Sequence, residues 1–209
     1  MPLKTNPGYY LYAYLRRMTC PFKKIDSVVP AEGRILDLGC GFGVLLLLLC
    51  SSSPKRALTG IDCREDRVRI AGEEARKTDI KNCFFRTGDI VNCDYSGMHA
   101  CILLVDVLYQ LTFEDKVKVI GKCRDSLAAG GVLIVKEMNT HPFWKFIWCR
   151  FQEEFLAQPL LLNRKMVNLL GESELEEILR SFDFEVETVR VDRGYAYPHI
   201  LFICRNQTR

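Results

Sequence analysis

Short apolar runs alternate with amphipathic stretches from residue 33 onward. GRILDLG (33–39), KRALTGID (55–62), NCFFRTGD (82–89), MHACILLVD (98–106) and GGVLIVKE (130–137) have strand length. They are close to continuously apolar, as strands covered on both faces are. Helical patterns lie between them. FGVLLLLLC (42–50) follows a glycine turn, and in REDRVRIAGEEARK (64–77) Val68, Ala71 and Ala75 share one stripe. TFEDKVKVIGKCRDSL (112–127) opens on Thr112 with Asp115 three residues on, a capping-box arrangement. This alternation predicts an α/β domain, a parallel sheet doubly wound by helices on both faces.

After Glu137 the alternation stops. HPFWKFIWCRFQEEFL (141–156) reads as an aromatic-rich helix and PLLLNRKMVNLL (159–170) follows it. Ser173 with Glu176 makes a second capping-box pattern ahead of ELEEILRSF. FEVETVRV (184–191) and HILFIC (199–204) predict a closing hairpin. No internal repeat or low-complexity linker is visible, and 209 residues suit a single domain.

Gly39, Gly41 and Gly43 stand between the first strand and its helix. Such glycines permit a sharp turn and let a ligand lie against bare amides at a helix N-terminus. The dinucleotide fingerprint G-x-G-x-x-G would place glycine at 44, where Val44 stands. This loop is G-x-G-x-G, preceded by the acid Asp37.

ILDLGCGFG resembles the first motif of class I S-adenosylmethionine-dependent methyltransferases. The second strand ends on Asp62, which matches the acid that holds both ribose hydroxyls in that family. Asp89, ending TGD, matches the residue beside the adenine amino group. LLVDVLYQL resembles the fourth-strand motif, with Asp106 near the cofactor's amino-acid end, and LAAGGVLIVKE resembles the turn into the fifth strand. The resemblance covers residues 31–137 closely and the terminal hairpin in layout. It implies a Rossmann-like sheet of seven strands with an antiparallel last strand beside the fifth and a helical insertion after strand five. It also implies S-adenosylmethionine as cofactor, leaving S-adenosylhomocysteine. The implied binding residues are Asp37, Gly39, Cys40, Gly41, Gly43, Asp62, Cys63, Asp89, Ile90 and Asp106. The chain then divides into a helical cap (1–30), a cofactor core (31–137), a helical cap insertion (138–172) and a last helix with hairpin (173–209). KEMNTHPFWK, with Asp192, Arg193, Gly194, Pro198 and His199, further resembles small bacterial methyltransferases associated with lipid or polyene pathways.

Ligands of open α/β sheets bind outside the carboxyl ends of the parallel strands. The loops there carry Tyr109 and Gln110, then Lys136, Glu137 and His141, then Tyr195, Tyr197 and His199. His199, His141 and Tyr109 are the candidate catalytic residues, since a histidine can take a proton near neutral pH. His99, at the far end of strand four, reads as structural. Asp106, Glu137 and Asn139 do not reproduce the Asp-Asn pair of metal-dependent catechol methyltransferases, so no metal is expected. VDVLYQ stands where enzymes of exocyclic amino groups carry an Asn-Pro-Pro-Tyr motif. Together with a net charge of only +3, this argues against nucleic acid as a partner.

The aromatic segment 142–156 is read as a cap, which favours a small aromatic or apolar acceptor. A membrane surface or a dimer face is its other use. Tyr9, Tyr10, Tyr12 and Tyr14 precede the first strand, where the resemblance implies a helix closing over the cofactor. Ten scattered cysteines without a C-x-x-C pair point to free thiols in a reducing cytosol. No run approaches the ~20 apolar residues of a membrane span, and MPLKTNPGYY lacks the layout of a signal peptide. The expectation is a cytoplasmic, peripherally membrane-associated at most, methyltransferase of a small acceptor, lipid- or carrier-bound acceptors included. A protein or peptide acceptor, a fold that binds the cofactor without turnover and, more distantly, an NAD-linked oxidoreductase are the alternatives.

Overall fold

In a computed structural model, residues 7–139 and 168–206 are described. Two helices, α1 (Pro7–Thr19) and α2 (Phe22–Asp26), precede β1 (Gly33–Leu38). Then follow α3 (Val44–Ser52), β2 (Arg56–Asp62), α4 (Glu65–Lys77), β3 (Cys83–Thr87) and β4 (His99–Val105). A 3-10 turn at Leu108–Gln110 leads to α5 (Phe113–Ser126) and β5 (Leu127–Met138). The chain closes with α6 (Glu172–Ser181), β6 (Phe184–Arg190) and β7 (His199–Asn206).

The seven strands form one sheet in the order β3-β2-β1-β4-β5-β7-β6. β1 pairs in parallel with β2 and β4, and β4 with β5. β7 runs antiparallel to both β5 and β6, with Met138 opposite His199 at one end and Val132 opposite Arg205 at the other. The hairpin expectation therefore holds, and its second strand slots in beside the fifth.

Side chains alternate across each strand, so the sheet separates two apolar layers. Leu133, Val135, Ile200 and Phe202 face one layer, with Val119 and Ile120 of α5 and Leu175 and Leu179 of α6. Ile134, Leu201 and Ile203 face the other, with Tyr9 of α1, Ile25 of α2 and Leu46 and Leu49 of α3. Leu46 and Leu49 are fully buried, each contributing about 1.5–3 kcal/mol of burial. α3 is apolar all round because its next layer is α1 and α2, not water. α4 buries Val68, Ala71 and Ala75, the stripe its sequence shows.

The Thr112 cap forms as expected: its hydroxyl accepts from the Asp115 amide at 3.2 Å. The Ser173 cap does not. α6 is capped by Gly171, two residues earlier, and Ser173 sits inside the first turn. Glu176 does not reach back to the helix start; it takes Arg180 at 2.7 Å and the Thr188 hydroxyl at 3.1 Å. β5 also begins at Leu127, directly after α5, earlier than the Gly130 start its apolar run suggests. The aromatic segment 142–156 and His141 lie outside the described residues.

Candidate active site

The carboxyl ends of β3, β2, β1 and β4 lie side by side, and each ends at or beside an acid. Asp37 is the penultimate residue of β1 and is buried. The chain then turns through Gly39–Gly43 into α3. The amides of Gly39 and Cys40 both donate to the Ile61 carbonyl, at 2.7 and 3.0 Å. The Gly41 amide donates to Asp62 Oδ2 at 2.8 Å, and the Gly43 amide to the Cys40 carbonyl at 3.0 Å. These four amides of the turn are engaged: they brace the loop against β2 and against itself. What the loop leaves open is its Cα surface. A Cβ added at Gly41 would meet nothing within 4 Å, whereas one at Gly43 would lie 2.6 Å from Phe85 Cε1. Gly43 is therefore a packing glycine, and Gly41 is where an outside molecule finds room.

Asp62 ends β2, buried, and anchors both neighbouring loops. Besides Gly41, it accepts the Arg64 amide on Oδ1 at 2.9 Å. Each carboxylate oxygen keeps a further lone pair, so two adjacent hydroxyl donors are matched by this group. Cys63 beside it is exposed. Asp89, just past β3, caps its own turn, accepting from the Val91 amide at 3.0 Å and from Asn92 Nδ2 at 2.6 Å. Ile90 next to it is buried in the core. Burial and the neighbouring Asp62 charge push Asp37 up to about 7, against the pull of Arg16.

Asp106 follows β4 in the left-handed region, at φ 57°. It takes Arg16 of α1 on Oδ2 at 2.9 Å and Lys136 of β5 on Oδ1 at 2.5 Å. Burial would raise this carboxyl, but Lys136 and Arg16 outweigh it and hold Asp106 well below the usual carboxylate range. The same helix packs Tyr12 on Phe42 of the glycine loop, with ring centroids 4.8 Å apart, and Tyr9 on Phe42 at 6.5 Å. α1 thus spans the site from the glycine loop to the end of β4. Tyr9 and Tyr12 face inward and Tyr10 and Tyr14 outward, so the four tyrosines divide between two roles.

On the acceptor side, His199 opens β7 and is buried. Its Nε2 lies 2.6 Å from the Thr19 carbonyl at the end of α1. A carbonyl only accepts, so Nε2 carries the hydrogen and Nδ1 the lone pair. Nδ1 is buried with no hydrogen-bond partner. Burial, reinforced by Lys136, lowers this imidazole to about 3, so it is neutral at physiological pH. Tyr197 stacks on it at 5.9 Å and Tyr195 meets it edge-on at 5.6 Å. Tyr109 is buried in the turn after β4, its carbonyl accepting from the Asn168 amide. His99 sits at the opposite edge, its ring on the Tyr95 carbonyl.

Asp106, Glu137 and Asn139 take separate partners. Glu137 Oε1 accepts the Leu108 amide at 2.9 Å, and Asn139 donates to Glu172 at 2.9 Å. Among the described residues no group of three or more His, Cys, Asp or Glu could hold a metal ion. Glu137 faces the layer opposite Lys136. Burial, aided by Asp106, pushes it up to about 8. Arg16 and the buried Lys136 are the residues that sequence reasoning missed as partners of Asp106. The only trace of Arg16 in the sequence is its place in the i, i+3, i+7 spacing Tyr9, Tyr12, Arg16.

This strand order, with an acid–glycine turn after β1 and an acid closing β2, defines the class I methyltransferase fold. The profile of the methyltransferase-domain family matches residues 31–182. The chain belongs to that family, within the class I S-adenosylmethionine-dependent methyltransferases. It is 39% identical over 128 residues to the release factor glutamine methyltransferase of Vibrio cholerae, covering 56% of this chain and 43% of that protein. It is 32% identical over 109 residues to the carboxy-S-adenosyl-L-methionine synthase of Campylobacter hominis, covering 51% of this chain and 44% of that protein. The chain thus spans less than half the length of these curated relatives. Among solved structures, a methyltransferase from Methanosarcina mazei superposes with a TM-score of 0.70 at 18% identity, covering 89% of this chain and 98% of that one. An O-methyltransferase of neocarzinostatin biosynthesis, solved with S-adenosyl-L-homocysteine and 1,4-dihydroxy-2-naphthoic acid, gives 0.68 at 18% identity, covering 93% of this chain and 56% of that one. These structural likenesses concern the fold.

Proposed function

We propose that the chain binds S-adenosylmethionine across the carboxyl edge of β1, β2 and β4 and transfers its methyl group to a small aromatic or apolar acceptor. The observation that carries the cofactor reading is Asp62, fixed by the Gly41 amide directly beside the one loop position where a Cβ meets nothing. In this reading Asp62 accepts the ribose hydroxyls, Asp89 and Ile90 border the adenine, and Gly39, Cys40, Gly41, Gly43 and Cys63 form the floor. Asp37 and Asp106 face the amino-acid end. The donor set fits the group: two hydroxyls meet a carboxylate with free lone pairs, and a cation meets a carboxyl, Asp37, that burial and the Asp62 charge raise to about 7.

When bound, the cofactor would supply an activated methyl group for in-line transfer to the acceptor. The chain's part is alignment and exclusion of water. Arg16 holds α1 over the edge through Asp106. His199 and Tyr109 are the acceptor-side candidates among the described residues. The geometry of His199 supports a hydrogen-bond acceptor at Nδ1 and not a proton carrier, because its imidazole stays neutral. His141 and the cap 142–156 are proposed on sequence alone, and the composition of that cap is the support for an aromatic or apolar acceptor.

A protein acceptor is the second reading, favoured by the likeness to a release factor glutamine methyltransferase. Methyl-labelled S-adenosylmethionine, incubated with the protein and an extract of its source cells, separates the two. Label in the organic phase is the expected result. Label in precipitated protein moves the second reading to first, and absence of transfer with cofactor binding intact overturns both.

A further inference from the structure

α1 has two faces. Tyr9, Tyr12 and Arg16 point to the site, as described above. On the opposite side Tyr10, Leu11, Tyr14, Leu15 and Met18 are 48–63% exposed. At 100° per residue these five fall within one arc, and the inward three lie across the axis from it. Tyr10, at the margin, donates to Glu74 at 3.2 Å, and the Leu15 carbonyl accepts the Thr19 hydroxyl at 2.9 Å; the side chains of Leu11, Tyr14, Leu15 and Met18 stay exposed. Single exposed apolar residues are ordinary, but a continuous stripe along one helix is not.

Charge decides what covers it. Residues 1–30 hold five basic side chains and one acid, Asp26, a net charge of +4, while the whole chain carries +3. Asp26 is engaged by Arg56 at 2.6 Å. Arg17 on α1 and Lys23 and Lys24 on α2 are exposed, and α1 contains no acid. Apolar side chains and tyrosines on α1, with the exposed cations Arg17 of α1 and Lys23 and Lys24 of the next helix, match the acyl boundary and headgroups of an anionic bilayer. A second copy of the same face would set like charges against each other.

We infer that the outer face of α1, with Arg17, Lys23 and Lys24, docks the molecule on an anionic lipid surface. The candidate site then opens beside the membrane, because the inner face of the same helix covers it. This inference rests on the helix surface and not on the identity of the acceptor, and binding is read without turnover.

The test is cosedimentation with vesicles of phosphatidylcholine alone or with an equal part of phosphatidylglycerol. The full chain is compared with a Leu11→Ser, Leu15→Ser, Met18→Ser variant and an Arg17→Glu, Lys23→Glu, Lys24→Glu variant. The full chain is expected to bind the anionic vesicles, and each variant to bind them at least about tenfold more weakly. Titration with S-adenosylhomocysteine, together with the melting temperature, checks that the variants stay folded. Failure to bind anionic vesicles, equal binding to neutral ones, or binding unchanged by either variant overturns the inference. So does a native dimer that the apolar variant splits, since the face would then be a self-association surface.

Discussion

A buried carboxyl, Asp37, and a half-buried one, Asp106, of opposite character share the carboxyl edge of the sheet. Asp37 is raised to about 7 by burial and by Asp62, whereas Asp106 is held low by Lys136 and Arg16. The signs follow from proton linkage. Between about pH 4, the unfolded value, and its folded value, Asp37 keeps a proton that the unfolded chain has lost, so it lowers stability as pH rises through that window. Stability from Asp106 is present above the unfolded value and is lost as acid protonates it. Asp37→Asn should therefore raise the melting temperature of the ligand-free chain at about pH 8, by about 2–4 °C per kcal/mol relieved, and leave it unchanged at about pH 4. The same change should weaken S-adenosylhomocysteine binding at the higher pH, because an amide cannot meet the ligand's ammonium as a carboxylate does. Asp106→Ala removes the anion from a fully buried Lys136. Urea unfolding should show a loss of about 3–5 kcal/mol, partly restored by adding Lys136→Met.

The glycine turn and α1 are the elements that make the site, and they differ in how far the sequence discloses them. The turn is legible because it is local: an acid and three glycines between an apolar strand and an apolar helix leave few other readings. Even so, sequence does not separate Gly41 from Gly43. The difference lies in Phe85 of β3, a contact from a distant element. Gly43→Ala should destabilise the fold by about 1–3 kcal/mol through that clash, while Gly41→Ala, strained only in its backbone, should keep most of the stability and lose ligand affinity. Denaturation curves and titrations on the two variants distinguish them. α1 is less legible. Its tie to Asp106 spans 90 residues, and the Ser173 cap fails for a similar reason, because Arg180 and Thr188 claim Glu176. Local patterns carry local partners, and these partners are tertiary.

Across the molecule, the sheet is the most legible part, since strands covered on both faces need apolar residues at nearly every position and show it as runs. The order β5-β7-β6 was available through the family resemblance and not through periodicity. The acids of the site could be read from the strand ends they occupy, whereas Lys136 hides inside the run VLIVKE because nothing in the run marks which face holds a counter-ion. Among the described residues no helix is long and apolar enough to cross a membrane. The central claim is a cofactor site organised by Asp62. Calorimetric titration of S-adenosylhomocysteine into the full chain and into Asp62→Ala tests it most directly. One site per chain is expected, weakened by about 1–3 kcal/mol when the carboxylate is removed. Equal affinity in both proteins, or no binding by the full chain, would contradict it.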